Sequence, residues 1–271
     1  MTSTFNLNDL FQAMGQAGRL MNEIGACEAA AGNISVFMRE HDGPGTGFSE
    51  QKSILLPVAV PELAGSALLV TGSGRRLREI LDDPLANLGY LVVEAGGRHG
   101  SLFTSPRRKF ARLTSEINSH LAVHADQARR RSLSFHALVH AQPQHLTFLS
   151  HHPQYQDELT LNRAVLRWQP EAILNFPEGL GFLPFCVPGS DELMQANVAK
   201  MGAHQLVVWA KHGVMARSDH SLAKATDLIE YAETGARYEC LNLTSGAGSS
   251  GLSVEQIRAI CAKYGVQQNI F

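Results

Sequence analysis

Residues 132–156 read Ser-Leu-Ser-Phe-His-Ala-Leu-Val-His-Ala-Gln-Pro-Gln-His-Leu-Thr-Phe-Leu-Ser-His-His-Pro-Gln-Tyr-Gln, a stretch without one Asp, Glu, Lys or Arg. Its apolar run Ala137-Leu-Val139 predicts a buried strand that His140 closes, and residues 144–150 predict a helix directly afterwards. A strand giving way to a helix within a few residues is the mark of an α/β chain. His, Gln and Pro fill the stretch too densely for a membrane span.

The same mixture continues on both sides. Upstream, apolar residues at helical spacing (Leu10, Met14, Leu20, Met21, Ile24) predict a helix over residues 7–25, and Asn33-Ile-Ser-Val-Phe-Met38 predicts a strand. Residues 41–51 are Gly-rich and polar and predict a loop. Leu68-Leu-Val-Thr71 predicts a strand ending in Gly72-Ser-Gly74, with a short helix over residues 76–81. Tyr90-Leu-Val-Val-Glu94 and Ser101-Leu-Phe103 are expected to pair across the Gly96-Gly97 turn. Residues 114–130 predict a helix with Ile117, Leu121 and Ala125 on one face. Downstream, Ala172-Ile-Leu-Asn-Phe176 and Leu206-Val-Val-Trp209 predict strands, and Ser190 is expected to cap a helix reaching residue 204. Residues 221–243 predict a long helix, and Ser253-Val-Glu-Gln256 a capping box for a last helix that Gly265 stops. No repeat or linker interrupts this order, so one α/β domain over residues 1–271 is expected.

Composition excludes several classes. The 271 residues are 44% hydrophobic and 18% charged, below the roughly 25% charge of typical soluble domains. That shortfall predicts extensive buried surface, in a deep core or between subunits. A formal charge of −2 supports neither nucleic-acid binding nor strong steering of an acidic ligand. The first ten residues carry no basic and apolar leader pattern, and the four cysteines (Cys27, Cys186, Cys240, Cys261) form no C-x-x-C pair. Free thiols in a reducing, cytoplasmic setting are the expectation. The 12 histidines are concentrated, with His120, His124, His136, His140, His145, His151 and His152 inside one window. An even spread would place about 1.5 there.

Gly246-Ala-Gly-Ser-Ser-Gly251 spells a dinucleotide motif, but it follows a long helix instead of a strand and reads as a flexible connection. No G-x-x-x-x-G-K-[ST] or G-x-S-x-G is present. Thr71-Gly-Ser-Gly74 is better placed: it either cradles an anion with backbone N–H groups and the Ser73 hydroxyl, helped by Arg75 and Arg76, or is a tight turn. Thr114-Ser-Glu116 on its own is a helix start. His140 and His212 each close an apolar run, a plausible pair of metal ligands if the fold brings the two strand ends together. The other clustered histidines read as core or solvent residues.

Taken in order, Gly32-Asn33, Val70-Thr-Gly-Ser-Gly-Arg75, Asp83-Pro-Leu-Ala-Asn-Leu-Gly89, Thr114-Ser-Glu116, Val139-His140, Phe176-Pro-Glu-Gly179, Leu183-Pro-Phe-Cys-Val-Pro-Gly189 and Trp209-Ala-Lys-His-Gly-Val214 resemble the class II aldolase/adducin superfamily, and within it the rhamnulose-1-phosphate aldolases. The resemblance implies a single-domain, three-layer α/β/α fold with a central, largely antiparallel sheet. It implies zinc-dependent retro-aldol cleavage of L-rhamnulose 1-phosphate to dihydroxyacetone phosphate and L-lactaldehyde, in rhamnose metabolism, by a homotetramer. It places His140 and His212 as metal ligands, Glu171 as a carboxylate completing the metal shell without substrate, and Glu116 as the catalytic acid/base. Asn33, Ser73, Gly74, Thr114 and Ser115 would surround the substrate phosphate. The chemistry agrees: cleaving C3–C4 of a 2-ketose phosphate leaves negative charge that needs a Schiff-base lysine or a metal. None of the lysines (52, 109, 200, 211, 224, 263) sits in an evident buried strand-end setting.

Two positions depart from the resemblance. The superfamily pattern His-x-His reads His140-Ala-Gln142 here, and an amide oxygen is a poor zinc ligand beside imidazole. Either Gln142 coordinates weakly, or His145 or His151 substitutes, or the metal differs or is lost; one ion per subunit, zinc or another divalent metal, is expected, with Gln142 at or beside it. Ala30 stands where a phosphate-site asparagine is usual. Rival expectations are a sister aldolase or a 4-epimerase acting on another ketose phosphate, and an adducin-like scaffold without chemistry.

Overall fold

The computed structural model describes residues 6–246 and 248–271. The leader reading of the first residues and one position of the Gly246–Gly251 connection therefore fall partly outside the described residues.

Asn6 accepts a hydrogen bond from the Asn8 N–H at 2.8 Å and opens helix α1 (Leu7–Glu23). Leu10, Met14, Ala17 and Met21 form its buried stripe. Strands β1 (Asn33–Met38), β2 (Glu50–Leu55) and β3 (Ala67–Thr71) follow, then the short α2 (Pro84–Asn87), β4 (Leu88–Val93) and β5 (His99–Thr104). Helix α3 (Ile117–Arg131), β6 (Phe135–Ala141) and helices α4 (Gln144–His151), α5 (Glu158–Leu166) and α6 (Pro170–Asn175) make the middle of the chain. The last part holds β7 (Gly181–Leu183), α7 (Asp191–Met201), β8 (Leu206–Trp209), β9 (Gly213–Ser218), α8 (Leu222–Thr244) and α9 (Val254–Tyr264).

The strands form one sheet in the order β2-β5-β4-β3-β1-β6-β9-β8-β7. Every neighbouring pair is antiparallel except β7–β8. The period of two along each central strand sorts its side chains between two covers. Val36 of β1, Leu69 of β3 and Val139 of β6 pack with α1, α4, α5 and α8 on one face. On the other, Leu68 and Val70 pack with Leu121 and Ala125 of α3, while Leu138 packs with Val123 of α3 and Leu193 of α7. The expected three layers are present. Among the described residues, no helix is long and apolar enough to cross a membrane.

One predicted strand is corrected. Ala172–Phe176 is not a strand: it belongs to helix α6 and its C-cap, with Pro170 at its first turn and Ala172 and Ile173 buried. A five-residue apolar run carries no decisive period, and a proline with fixed φ just before it starts a helix. The loop expected over residues 41–51 ends early, because the exposed edge strand β2 begins at Glu50. Residues 76–81 hold a single 3₁₀ turn, Leu77–Glu79, instead of a helix. Strands β7 and β9 and helix α5 are further elements with no sequence prediction; the first is short, the second is buried on both faces.

Candidate active site

The site forms where four segments end at the same margin of the sheet. Asn33 starts β1 and lies directly across from His140 near the end of β6. The turn after β3 carries Ser73 and Gly74, joined to the Thr114 segment by a Gly72–Leu113 bridge and by the Thr114 N–H bond to Thr71 O at 3.0 Å. His212 sits in the β8–β9 turn, held by its N–H bond to Trp209 O at 3.0 Å. A cavity of about 190 Å³ results, lined by Glu116, His140, His212 and Gln142. Asn33, Ser73, Gly74, Thr114 and Ser115 line it too. Nine of the ten sequence-predicted site residues thus converge.

Glu171 does not join them. It is exposed on the first turn of α6 and lines no part of this cavity.

The floor of the cavity has the donor set of a metal site. Glu116 Oε2 lies 3.5 Å from His140 Nε2, and Glu116 Oε1 lies 3.4 Å from His212 Nε2. All three ligand atoms fall within 4.8 Å of one another. A tetrahedral zinc shell with bonds near 2.0–2.1 Å spaces its donors roughly 3.3 Å apart, so the residues fit such an ion. His140 Nδ1 donates to Val214 O at 2.8 Å, which leaves the Nε2 lone pair facing the cavity. The His140 ring is stacked on Trp209 with centroids 4.7 Å apart. His212 Nδ1 is buried with no hydrogen-bond partner among the described residues.

Electrostatics keep this set ready for a cation. Burial pushes the Glu116 carboxyl up, but His140, the Asn33 hydrogen bond, His212 and His120 together outweigh it and bring it below its usual value. Burial and the His140 ring bring His212 down to about 4 against the pull of Glu116, so its imidazole is neutral at ordinary pH.

The position of the usual second histidine is held by Gln142, half-buried in the same cavity. His145 does not substitute. Its Nδ1 and backbone N–H both bond Glu233 Oε1, at 2.6 and 3.0 Å, and this ties it to α8. His151 is likewise outside the Glu116–His140–His212 group.

The anion cradle differs from its simplest reading. The Ser73 N–H already bonds Arg112 O at 2.9 Å, and the Arg75 N–H bonds Gly72 O at 3.3 Å. The Arg75 guanidinium turns to Glu79 and to Asn87 Oδ1, so it adds no charge to the cavity. What is left to an anion is the N–H of Gly74 and of Ser115 and the hydroxyls of Ser73 and Ser115, none of which has a hydrogen-bond partner among the described residues. Gly74, which lines the cavity, is in the left-handed region (φ 72°), a conformation glycine takes without a Cβ penalty. Thr114 holds the turn, its hydroxyl accepting from the Glu116 N–H at 3.3 Å. Asn33 lines the cavity, but its amide is engaged: Nδ2 donates to Glu116 Oε2 at 2.9 Å and Oδ1 meets His120 Nε2.

His120, fully buried behind Asn33, supports the site from outside the cavity and reads as core in the sequence. Its signal was present, since it stands four residues after Glu116, one helical turn away on the same face.

Comparison with known proteins agrees with this geometry. The family described as class II aldolase and adducin N-terminal domain matches residues 12–240. The chain belongs to that family. It is 29% identical over 242 residues to a rhamnulose-1-phosphate aldolase of Escherichia coli, covering 88% of this chain and 87% of that protein. A rhamnulose-1-phosphate aldolase of an Enterobacter species is 31% identical over 213 residues, covering 79% and 76%. Among solved structures, a sugar-phosphate aldolase from Thermotoga maritima superposes with a TM-score of 0.74 at 27% identity, covering 90% of this chain and 99% of the other.

Proposed function

We propose that this chain is a divalent-metal-dependent retro-aldol lyase whose substrate is L-rhamnulose 1-phosphate, cleaved to dihydroxyacetone phosphate and L-lactaldehyde. The observation that carries the reading is the Glu116 carboxylate set between the Nε2 atoms of His140 and His212, in a cavity also lined by N–H and hydroxyl groups of Ser73, Gly74 and Ser115 that have no partner among the described residues. Relatives of this name at about 30% identity support the choice of sugar.

The residues divide the work by their chemistry. His140 and His212 would hold the ion, with the Gln142 amide oxygen beside them, and zinc suits the two imidazoles. When bound, the ion supplies Lewis-acid stabilisation of the charge that develops as C3–C4 breaks. Gly74, Ser73 and Ser115 bind the phosphate through N–H and O–H groups at a turn and a helix start. Glu116 carries the proton: as a carboxylate it takes up the equivalent of the proton that the C4 hydroxyl gives up when C3–C4 breaks and delivers it to C3, and condensation runs the same transfer in reverse. Glu171 is proposed, on family position alone, as the carboxylate available to the metal when no substrate is present.

The same site chemistry would serve a sister aldolase or a 4-epimerase on another ketose phosphate. Because the cradle reads the phosphate and not the sugar's stereocentres, a panel of ketose 1-phosphates compared by kcat/KM separates these. A scaffold without activity is disfavoured, because Glu116, His140 and His212 remain mutually placed for an ion. Zinc-loaded protein incubated with L-rhamnulose 1-phosphate is expected to release dihydroxyacetone phosphate, and chelation to stop it. No product from metal-replete protein defeats the reading.

We further propose one domain over the chain, acting as a cytoplasmic homotetramer. Four free thiols suit a reducing compartment. The exposed Phe148, Phe185 and Val187, at 62%, 56% and 62%, suit subunit contacts. Light scattering that gives a monomer mass refutes the tetramer.

A further inference from the structure

Leading away from the cavity, a line of polar side chains runs between the sheet and α3. Asn33 Oδ1 meets His120 Nε2. His120 Nδ1 is 2.6 Å from Ser35 Oγ, which is 2.7 Å from His124 Nε2, and His124 Nδ1 is 2.8 Å from His136 Nδ1. Ser35 and the three histidines are fully buried. Regular geometry makes the line: residues 116, 120 and 124 are one turn apart at the start and along one face of α3. Residues 33 and 35 share a face of β1, and 136 and 140 share a face of β6.

The direction of every bond follows from its ends. A carboxylate accepts only, so Asn33 must present its NH₂ to Glu116 and its carbonyl oxygen to His120. Burial holds His120 and His136 down at about 3 and His124 well below its usual value, so each ring is neutral with one N–H. His120 then donates from Nε2 and accepts at Nδ1 from the Ser35 hydroxyl. Ser35 accepts from His124 Nε2–H, and His124 Nδ1 accepts from His136 Nδ1–H. That leaves a bare lone pair on His136 Nε2. The far end agrees independently: His136 Nε2 is buried without a hydrogen bond, and stands 3.8 Å from Asp219 Oδ1. An N–H there would close on the carboxylate; a lone pair does not.

We propose that Ser35, His120, His124 and His136 are positioning residues, a buried hydrogen-bonded chain of single polarity that holds the Asn33 amide with its N–H groups toward Glu116 and so fixes the carboxylate at the reacting carbon. The role assigned to Glu116 rests on the reading above; the polarity of the chain does not. Packing alone gives no reason for these residues, since aliphatic side chains fill such a layer without polar groups to satisfy. Asn33 is then a support of the acid/base in addition to a wall of the phosphate pocket.

The first test is the tautomers, read from side-chain ¹⁵N chemical shifts of histidine-labelled protein, with each ring assigned by single substitution. His120 and His124 are expected as Nε2–H and His136 as Nδ1–H. An Nδ1–H tautomer at His120, or a mixture of the two forms, overturns the proposal, and this readout needs no activity. The second test is kinetic. Ser35→Ala removes one oxygen and touches no cavity residue; kcat is expected to fall about tenfold to a hundredfold, as for other orienting partners of a site ligand, with KM for the ketose phosphate within about twofold of wild type. His120→Leu is expected to show the same split, and His120→Gln, which keeps a donor toward Asn33, to recover most of it. Ser35→Ala with unchanged kcat, or with kcat and KM altered together, overturns the positioning role. Wild-type protein inactive on every ketose phosphate defeats the lyase reading while the tautomer result still decides the chain's polarity.

Discussion

The Nδ1–H of His140 donates to the carbonyl oxygen of Val214 at 2.8 Å, a bond between neighbouring strands that decides which ring nitrogen faces Glu116. In the neutral ring a histidine fixed in this way carries its lone pair on Nε2, so no change of tautomer is needed to bind an ion. Purified protein expressed in replete medium should therefore carry about one zinc per chain, and His140→Ala or His212→Ala should carry less than about 0.2. Elemental analysis checks it. Equal metal content in wild type and both variants would remove these residues from the site.

Gln142 gives the converse prediction. Replacing an amide oxygen by an imidazole nitrogen adds a better zinc donor to two already aligned. Gln142→His should tighten zinc binding by at least about tenfold, or about 1.4 kcal/mol, in a competition titration with a chelator. No gain would mean that the side chain at this position does not reach the ion.

Much of this site was legible before any fold was known, and the reason is local. His140 and His212 each end an apolar run, and Thr114-Ser-Glu116 sits where a helix must begin, so strand and helix signals alone placed them at element ends. What was not legible depended on pairing. Asn33 was placed at the phosphate by the resemblance alone, and its bonds to Glu116 and His120 could not be read from the sequence because strand register and helix packing make them. His120, His124 and His136 read as core for the same reason, since three separate elements build their line. Arg75 looked available to an anion until Glu79, one helical turn on, claimed it. Ala172-Ile-Leu misled because a short apolar run has no period to read, and the proline two residues earlier was the better signal.

The buried histidines also set a pH dependence of stability. Their folded-state values lie below the unfolded value near 6.5, with His120 and His136 at about 3. Between those limits the unfolded chain binds protons that the native protein does not, so stability is complete above about pH 6.5 and is lost as pH falls toward 3. Each such ring contributes up to about 1.4 kcal/mol per pH unit within the window. The melting temperature should be nearly flat from pH 8 to 7 and drop steeply below 6. His136→Phe should lessen that slope. A slope unchanged by the substitution would place the titrating groups elsewhere.

Gly18 tests the packing that carries the site's first wall. It lies mid-helix in α1, where alanine would ordinarily be favoured by about 1 kcal/mol. A Cβ there would meet Leu77 O at 2.2 Å and the Leu77 carbonyl carbon at 2.7 Å, backbone atoms that do not rotate away. Overpacking of this kind costs about 1–3 kcal/mol, which outweighs the propensity gain. Leu77 also stands 3.0 Å from where a Cβ on Gly32 would be, next to Asn33, so the strain is transmitted toward the start of β1. Gly18→Ala should lower the melting temperature by about 2–4 °C for each kcal/mol lost, and Gln16→Ala, on the exposed side of the same helix, should not. A Gly18→Ala protein as stable as wild type would show that α1 and the Leu77 turn separate more readily than their contact implies.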